Sequence, residues 1–116
     1  MQQQFTSMFE VDGDGNPAGG RSVATGIWID WQNGPLGRGE DRIEPNGAFV
    51  ETLVAMAIDR LQWYNGDGKY AEDSGKKFRC RENSLAITHL EEAQHWLNHR
   101  TARREAASTE GTHEGS

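Results

Sequence analysis

The 116-residue sequence predicts an α+β chain in which strands come first and a long helical hairpin follows. Alternating apolar residues are confined to about the first 45 positions, and apolar repeats at helical spacing run through about 46–106. A third observation concerns assembly. Four Trp, four Phe and two Tyr are large apolar side chains for a chain that is 34% hydrophobic with a mean hydropathy of -0.82. A core this small gives thin stability, so some of these rings are expected at interfaces between copies. The length allows one domain, divided into a β-rich part with loops (about 1–45), the hairpin (about 46–106) and a tail (107–116).

Residues 5–11 read as the first strand. Asp12 to Gly20 is rich in Gly, Asp and Asn, and Pro17 predicts that it stays irregular. Residues 23–32 form the clearest strand, with Ile27, Ile29 and Trp31 on one face and Trp28, Asp30 and Gln32 on the other. Asn33-Gly34-Pro35 then opens a long loop to Pro45. Asn46 is a candidate N-cap for a first helix over about 47–64. Its stripe is Val50, Val54, Ala57 and Leu61, widened by Leu53 and Ile58. Asn65-Gly66-Asp67-Gly68 stops it. A second helix over about 80–106 carries Ala86, Leu90, Ala93 and Leu97, reinforced by Ile87 and Trp96. Two such stripes imply an antiparallel hairpin packed on itself and on a partner.

The net charge of -6 is unevenly spread. Residues 1–75 carry 5 basic and 12 acidic side chains, whereas 76–104 carry 7 basic and 3 acidic. An acidic body argues against binding long nucleic acid, while a local basic patch suits a small anion. The single Cys80 excludes an internal disulfide and fits a reducing compartment. Met1 to Phe5 lack the features of a signal peptide, and no apolar run is long enough for a bilayer. The expectation is therefore a cytoplasmic chain without membrane contact.

Lys76-Lys77-Phe78-Arg79-Cys80-Arg81-Glu82-Asn83 lies where the second helix begins. Free backbone N–H groups and the positive dipole end favour an anion there. Four cations add phosphate pairing, and Phe78 adds a surface on which a base can stack. The plain alternative is a solvated basic loop. Arg100, Arg103 and Arg104 form a second cluster at the far end, where pairing with the helix dipole is the competing explanation. An antiparallel dimer would bring one chain's far cluster to the other's helix start. His89, Glu92, His95 and His99 have partial ligand spacing but no HExxH pattern, so no metal site is expected. Asp12-Gly13-Asp14-Gly15-Asn16 begins like a calcium loop but lacks its Gly and closing acid. No nucleophile–base pairing appears, so neither catalysis nor a cofactor is expected.

Cys80 to Ala93, His95-Trp96-Leu97 and Arg100-Thr101-Ala102-Arg103-Arg104-Glu105 together resemble a phage family. Trp31-Gln32-Asn33-Gly34-Pro35, Ile58-Asp59-Arg60-Leu61 and Glu110-Gly111-Thr112-His113 extend the resemblance over residues 27–113, with one longer insert, Asp67 to Lys76. The family is the first type of Thoeris anti-defence proteins, sponges that share a hairpin domain with an anti-CBASS sponge. The resemblance implies a short antiparallel N-terminal sheet before the hairpin, and assembly as dimers and a trimer of dimers. It implies sequestration of a cyclic ADP-ribose isomer without cleavage, in the host cell cytoplasm. Some members also hold cyclic oligonucleotides, so cyclic di- or trinucleotides are further expected ligands. Carried over residue by residue, the ligand contacts fall on Phe78, Asn83, Arg100 and Arg104, and the charge pattern adds Arg81 and Arg103. Two rivals stand beside this reading. A DNA-binding phage regulator needs a continuous basic face on the second helix, which Glu91 and Glu92 interrupt. A metal-dependent nucleotide hydrolase would be built on the His and Glu residues of that helix.

Overall fold

The computed structural model describes residues 2–37, 39–72 and 78–109, with side chains in the last stretch to Ala106. Lys76, Lys77 and the tail segment Glu110 to His113 lie outside the described residues. The chain forms two compact units, Met1–Phe49 and Val50–Ser116.

In the first unit, Thr6–Val11 (β1), Pro17–Ala24 (β2) and Ile27–Asp30 (β3) make an antiparallel sheet in the order β1-β2-β3. The strand expected over 23–32 is thus two strands, joined at Thr25-Gly26. The loop expected over Asp12 to Gly20 shrinks to a turn at Asp12 to Asn16. Pro17 starts β2, the strand position where a missing N–H costs least. The Asp12 carboxylate closes this turn by accepting the amides of Asp14 (2.9 Å) and Asn16 (3.0 Å), and these hold it below the usual carboxylate range, Asn16 contributing most. Pairing shifts between Phe9 and Val11. Gly20 (φ 127°) permits the close passage there, since a Cβ on it would stand 2.2 Å from the Met8 carbonyl oxygen.

Asn46 does not cap a helix. It latches the long loop to the end of β3: its Oδ1 accepts the Asn33 amide (2.8 Å), and its own amide donates to Gln32 Oε1 (2.9 Å). Gly47 and Ala48 run so close to Trp31 that a Cβ on Gly47 would lie 2.5 Å from the Trp31 carbonyl carbon. The bonds Gln32 N–H to Ala48 O (3.0 Å) and Ala48 N–H to Asp30 O (2.7 Å) complete the clasp. The competition is simple: Asn46 satisfies strand-end backbone groups, so the first helix starts later.

In the second unit, α1 (Val50–Asn65) and α2 (Arg81–Thr109) form the hairpin. Gln94 Nε2 donates to the Glu51 carbonyl (3.1 Å) and Asn65 Nδ2 to Ser84 Oγ (3.0 Å), which fixes the antiparallel register. The α2 side of the seam is Asn83, Ala86, Ile87, Leu90, Gln94 and Leu97, none of them exposed. The steps from Asn83 to Ile87, Leu90, Gln94 and Leu97 alternate four and three, the spacing that keeps one line against a partner helix. Ala93 and Trp96, expected in the stripe, fall off that line and are exposed, as are Val50 and Ala57 on α1. Among the described apolar side chains, Ile87 alone is buried (8% exposed). None of the described helices is long and apolar enough to cross a membrane.

Candidate functional site

The start of α2 is assembled from both ends of the connector. Cys80 stands at the cap position, where its carbonyl accepts the Ser84 amide (3.3 Å) and its Sγ accepts the Asn83 amide (3.4 Å). Asn83 Nδ2 donates to the Phe78 carbonyl (3.2 Å), which ties Phe78 and Asn83 together. The Phe78 ring is 54% exposed and meets Tyr64 edge-on, with centroids 6.0 Å apart and planes at 83°. That exposure separates it from a core plug. Tyr64 in turn tilts against Trp63 at 5.4 Å, and the Arg60 guanidinium lies over both rings at 4.9 and 4.6 Å. This cation-and-ring ladder was not foreseen, because Arg60, Trp63 and Tyr64 sit on the neighbouring helix.

Arg79 and Arg81 separate in role. Arg79 is engaged by its own chain, donating from Nη1 to the Asn65 carbonyl (3.0 Å) and pairing with Asp67 (3.3 Å), while its side chain stays 64% exposed. Arg81 opens α2, is exposed, and forms no ion pair with any described residue. A cation at the positive end of a helix dipole is unfavourable unless an anion answers it. The connector is also braced from α1. Tyr70 Oη donates to Asp59 (2.8 Å) and Lys69 pairs with it (3.3 Å). Those two partners, Tyr70 first, hold the Asp59 carboxyl below its ordinary value.

At the other end, Arg100, Arg103 and Arg104 are exposed, and none pairs with a described residue. The helix continues to Thr109 and its last turn carries no basic residue. Dipole pairing, the competing explanation for this cluster, therefore loses its geometry, since the effect fades within one turn. Arg81 and Arg100 are about 28 Å apart along the axis at 1.5 Å per residue. One chain thus joins Phe78 to Asn83, leaves Arg81 two helical positions from Asn83 on another side of the axis, and keeps Arg100, Arg103 and Arg104 apart from them.

The described histidines lie along α2. His95 and His99 flank Trp96 edge-on at 5.9 and 5.8 Å, and His89 approaches Glu92 at 3.7 Å. Among the described residues no three His, Cys, Asp or Glu side chains converge as metal ligands. On the sheet unit, Arg21 pairs with Asp30 (2.7 Å) and lies 4.4 Å over Trp28. The Arg21 hydrogen bond, more than that from Trp28, holds the Asp30 carboxyl low. A depression of about 600 Å³ beside this pair is lined by Met8, Glu10, Arg21 and Asp30 among others, and by none of the residues expected to bind ligand.

Comparison with known proteins bears on the same stretch. The family described as the Acb2/Tad1 hairpin domain matches residues 26–102. Over 69 residues, 60% of this chain, the sequence is 51% identical to Thoeris anti-defense 1 of Bacillus phage SBSphiJ7. The match spans 42% of that relative's length.

Proposed function

The chain belongs to the Acb2/Tad1 hairpin-domain family, and from that premise we propose that it is a phage anti-defence protein. It binds a cyclic ADP-ribose signal of Thoeris immunity and holds it uncleaved. The observation that carries this is the chemistry of α2. Its start presents a half-exposed ring, a carboxamide and Arg81, and its far end presents three arginines without an ion-pair partner among the described residues. Two phosphates need guanidinium forks, and an adenine needs an aromatic face. No small ligand bridges about 28 Å, so the site is shared: two copies set antiparallel place one chain's Phe78, Arg81 and Asn83 beside the other's Arg100, Arg103 and Arg104. Exposed Trp96 (66%) and Ala93 lie on α2 between the two clusters and form the seam between copies. Dimers that associate further into a trimer of dimers, and accommodation of cyclic di- or trinucleotides elsewhere on the assembly, complete the proposal. The protein acts in the host cytoplasm by stoichiometry and not by turnover.

The test is to load the protein with a cyclic ADP-ribose isomer, wash, denature, and identify the released molecule by mass spectrometry. Intact ligand in near-equimolar amount supports a sponge. Hydrolysed product overturns it in favour of an enzyme. Light scattering on the same sample that returned the mass of one 12.9 kDa chain would remove the shared site.

A further inference from the structure

Asn65, the last residue of α1, is 0% exposed. A polar side chain so enclosed is costly unless every group on it is satisfied. Here each one is. Its Oδ1 accepts the Cys80 amide (3.3 Å), and its Nδ2 donates to Ser84 Oγ (3.0 Å) and Asp67 Oδ2 (3.3 Å). Its backbone carbonyl accepts Arg79 Nη1 (3.0 Å). Four bonds thus join the end of α1 to residues 67, 79, 80 and 84. Phe78 and Asn83 are one step further out: Asn83 bonds Cys80 through its amide and Phe78 through its side chain.

We infer that Asn65 is a positioning residue for the ligand site, holding Phe78 and Asn83 in register by bridging the two helices at their shared end. The inference rests on the proposed function for its affinity readout. The requirement for Asn is chemical. A carboxamide presents an acceptor to the Cys80 amide and, from the same planar group, a donor to Ser84 and Asp67. An Asp keeps the acceptor, loses the donor and places a second carboxylate against Asp67. A Leu leaves the Cys80 amide without its side-chain acceptor. A Gln extends the group by a methylene that the closed environment does not accommodate.

The experiment compares wild type, Asn65→Asp and the double variant Asn65→Asp with Asp67→Asn, using full-length protein and cyclic ADP-ribose isomers as the probe. The double variant restores a donor opposite the new carboxylate. Asn65→Asp is expected to weaken binding by about tenfold or more while helical content is retained, and Asp67→Asn is expected to recover most of that loss. A ligand-free measurement runs alongside: hydrogen exchange at the Cys80, Asn83 and Ser84 amides should quicken in the single variant and slow again in the double, with the middle of α2 unchanged. Wild-type affinity in Asn65→Asp overturns the inference, as does a double variant that regains amide protection without regaining affinity. If the single variant does not fold, the double variant carries the same decision. If wild type binds none of the probes, the proposed function fails, and the exchange measurement alone decides whether Asn65 fixes the start of α2.

Discussion

The start of α2 is braced by its own chain, whereas the described side chains toward its far end are exposed. At the start, Asn65, Cys80 and Asn83 fix the backbone, Arg79 bonds the Asn65 carbonyl, and Tyr64 meets the Phe78 ring edge-on. From Asn98 to Ala106 every described residue is exposed, and Arg100, Arg103 and Arg104 pair with no described partner. The difference separates what one folded chain can set from what an assembly must supply. Ring and amide are positioned by folding. The guanidinium groups are placed by the helix axis, and under the proposed function their phosphate and second copy come from outside the chain.

The largest expected effect breaks the comparison at its free end. Replacing Arg100 or Arg104 by Ala should each cost about 1.5–3 kcal/mol of ligand affinity, the scale of a hydrogen bond to a charged group. The ligand-free melting temperature should not move, because these side chains are exposed and form no ion pair with a described residue. Lys at either position should recover only part of the loss, since a point charge lacks the planar fork. Calorimetry and thermal melts on the same samples decide it: a lowered melting point with affinity intact would make the far end structural after all.

A smaller effect is expected at the braced end. Phe78→Ala should reduce affinity by about 1–3 kcal/mol, the worth of a stacked base. Here the melting temperature should fall slightly as well, because the Tyr64 edge contact is lost. Phe78→Tyr and Phe78→Trp should keep most of the affinity. Equal affinity across wild type, Ala and Trp would reduce Phe78 to a packing residue and leave the start of α2 without base recognition.

The smallest effect is a pH dependence in the connector brace. The Asp59 pKa is lowered in the folded state, so its contribution is present above the unfolded value near 3.8 and disappears as pH falls through the folded value. Tyr70→Phe removes the main cause of that shift. It should lower the melting temperature modestly at neutral pH, and the gap from wild type should close as the solution is acidified below that range. Ligand affinity at neutral pH should stay unchanged. A loss of affinity instead would mean that the brace at Asp59 reaches the site.

The hairpin was legible because its signal is periodic. The helix ends were not, since single polar residues decide them by competition. Asn46 has the right chemistry for a cap, yet Gln32 and Asn33 claim it from thirteen or fourteen residues away. Cys80, a weak capping residue by type, takes that role because Asn65 fixes its amide. Pro17 looked like a stop and proved a start. Of the proposed site, Phe78 and Arg81 stand out in the sequence by their place in a basic cluster beside a helix start, and Asn83 through the family resemblance. Asn65 does not, because an Asn before Gly at a helix end reads as ordinary punctuation. Only the three-dimensional return of residues 79–84 onto it distinguishes it from such a stop.

Between Asn83 and Arg100 the helix runs without a Gly or a Pro. Length and rotation are locked together along such a segment: one added residue advances the far arginines by 1.5 Å and turns them by about 100°. Substitutions there change chemistry at one point, but a single-codon insertion or deletion would swing the whole arginine cluster to another side of the axis. Replacements within that segment leave the arginine cluster where it stands around the axis, whereas a change of length does not.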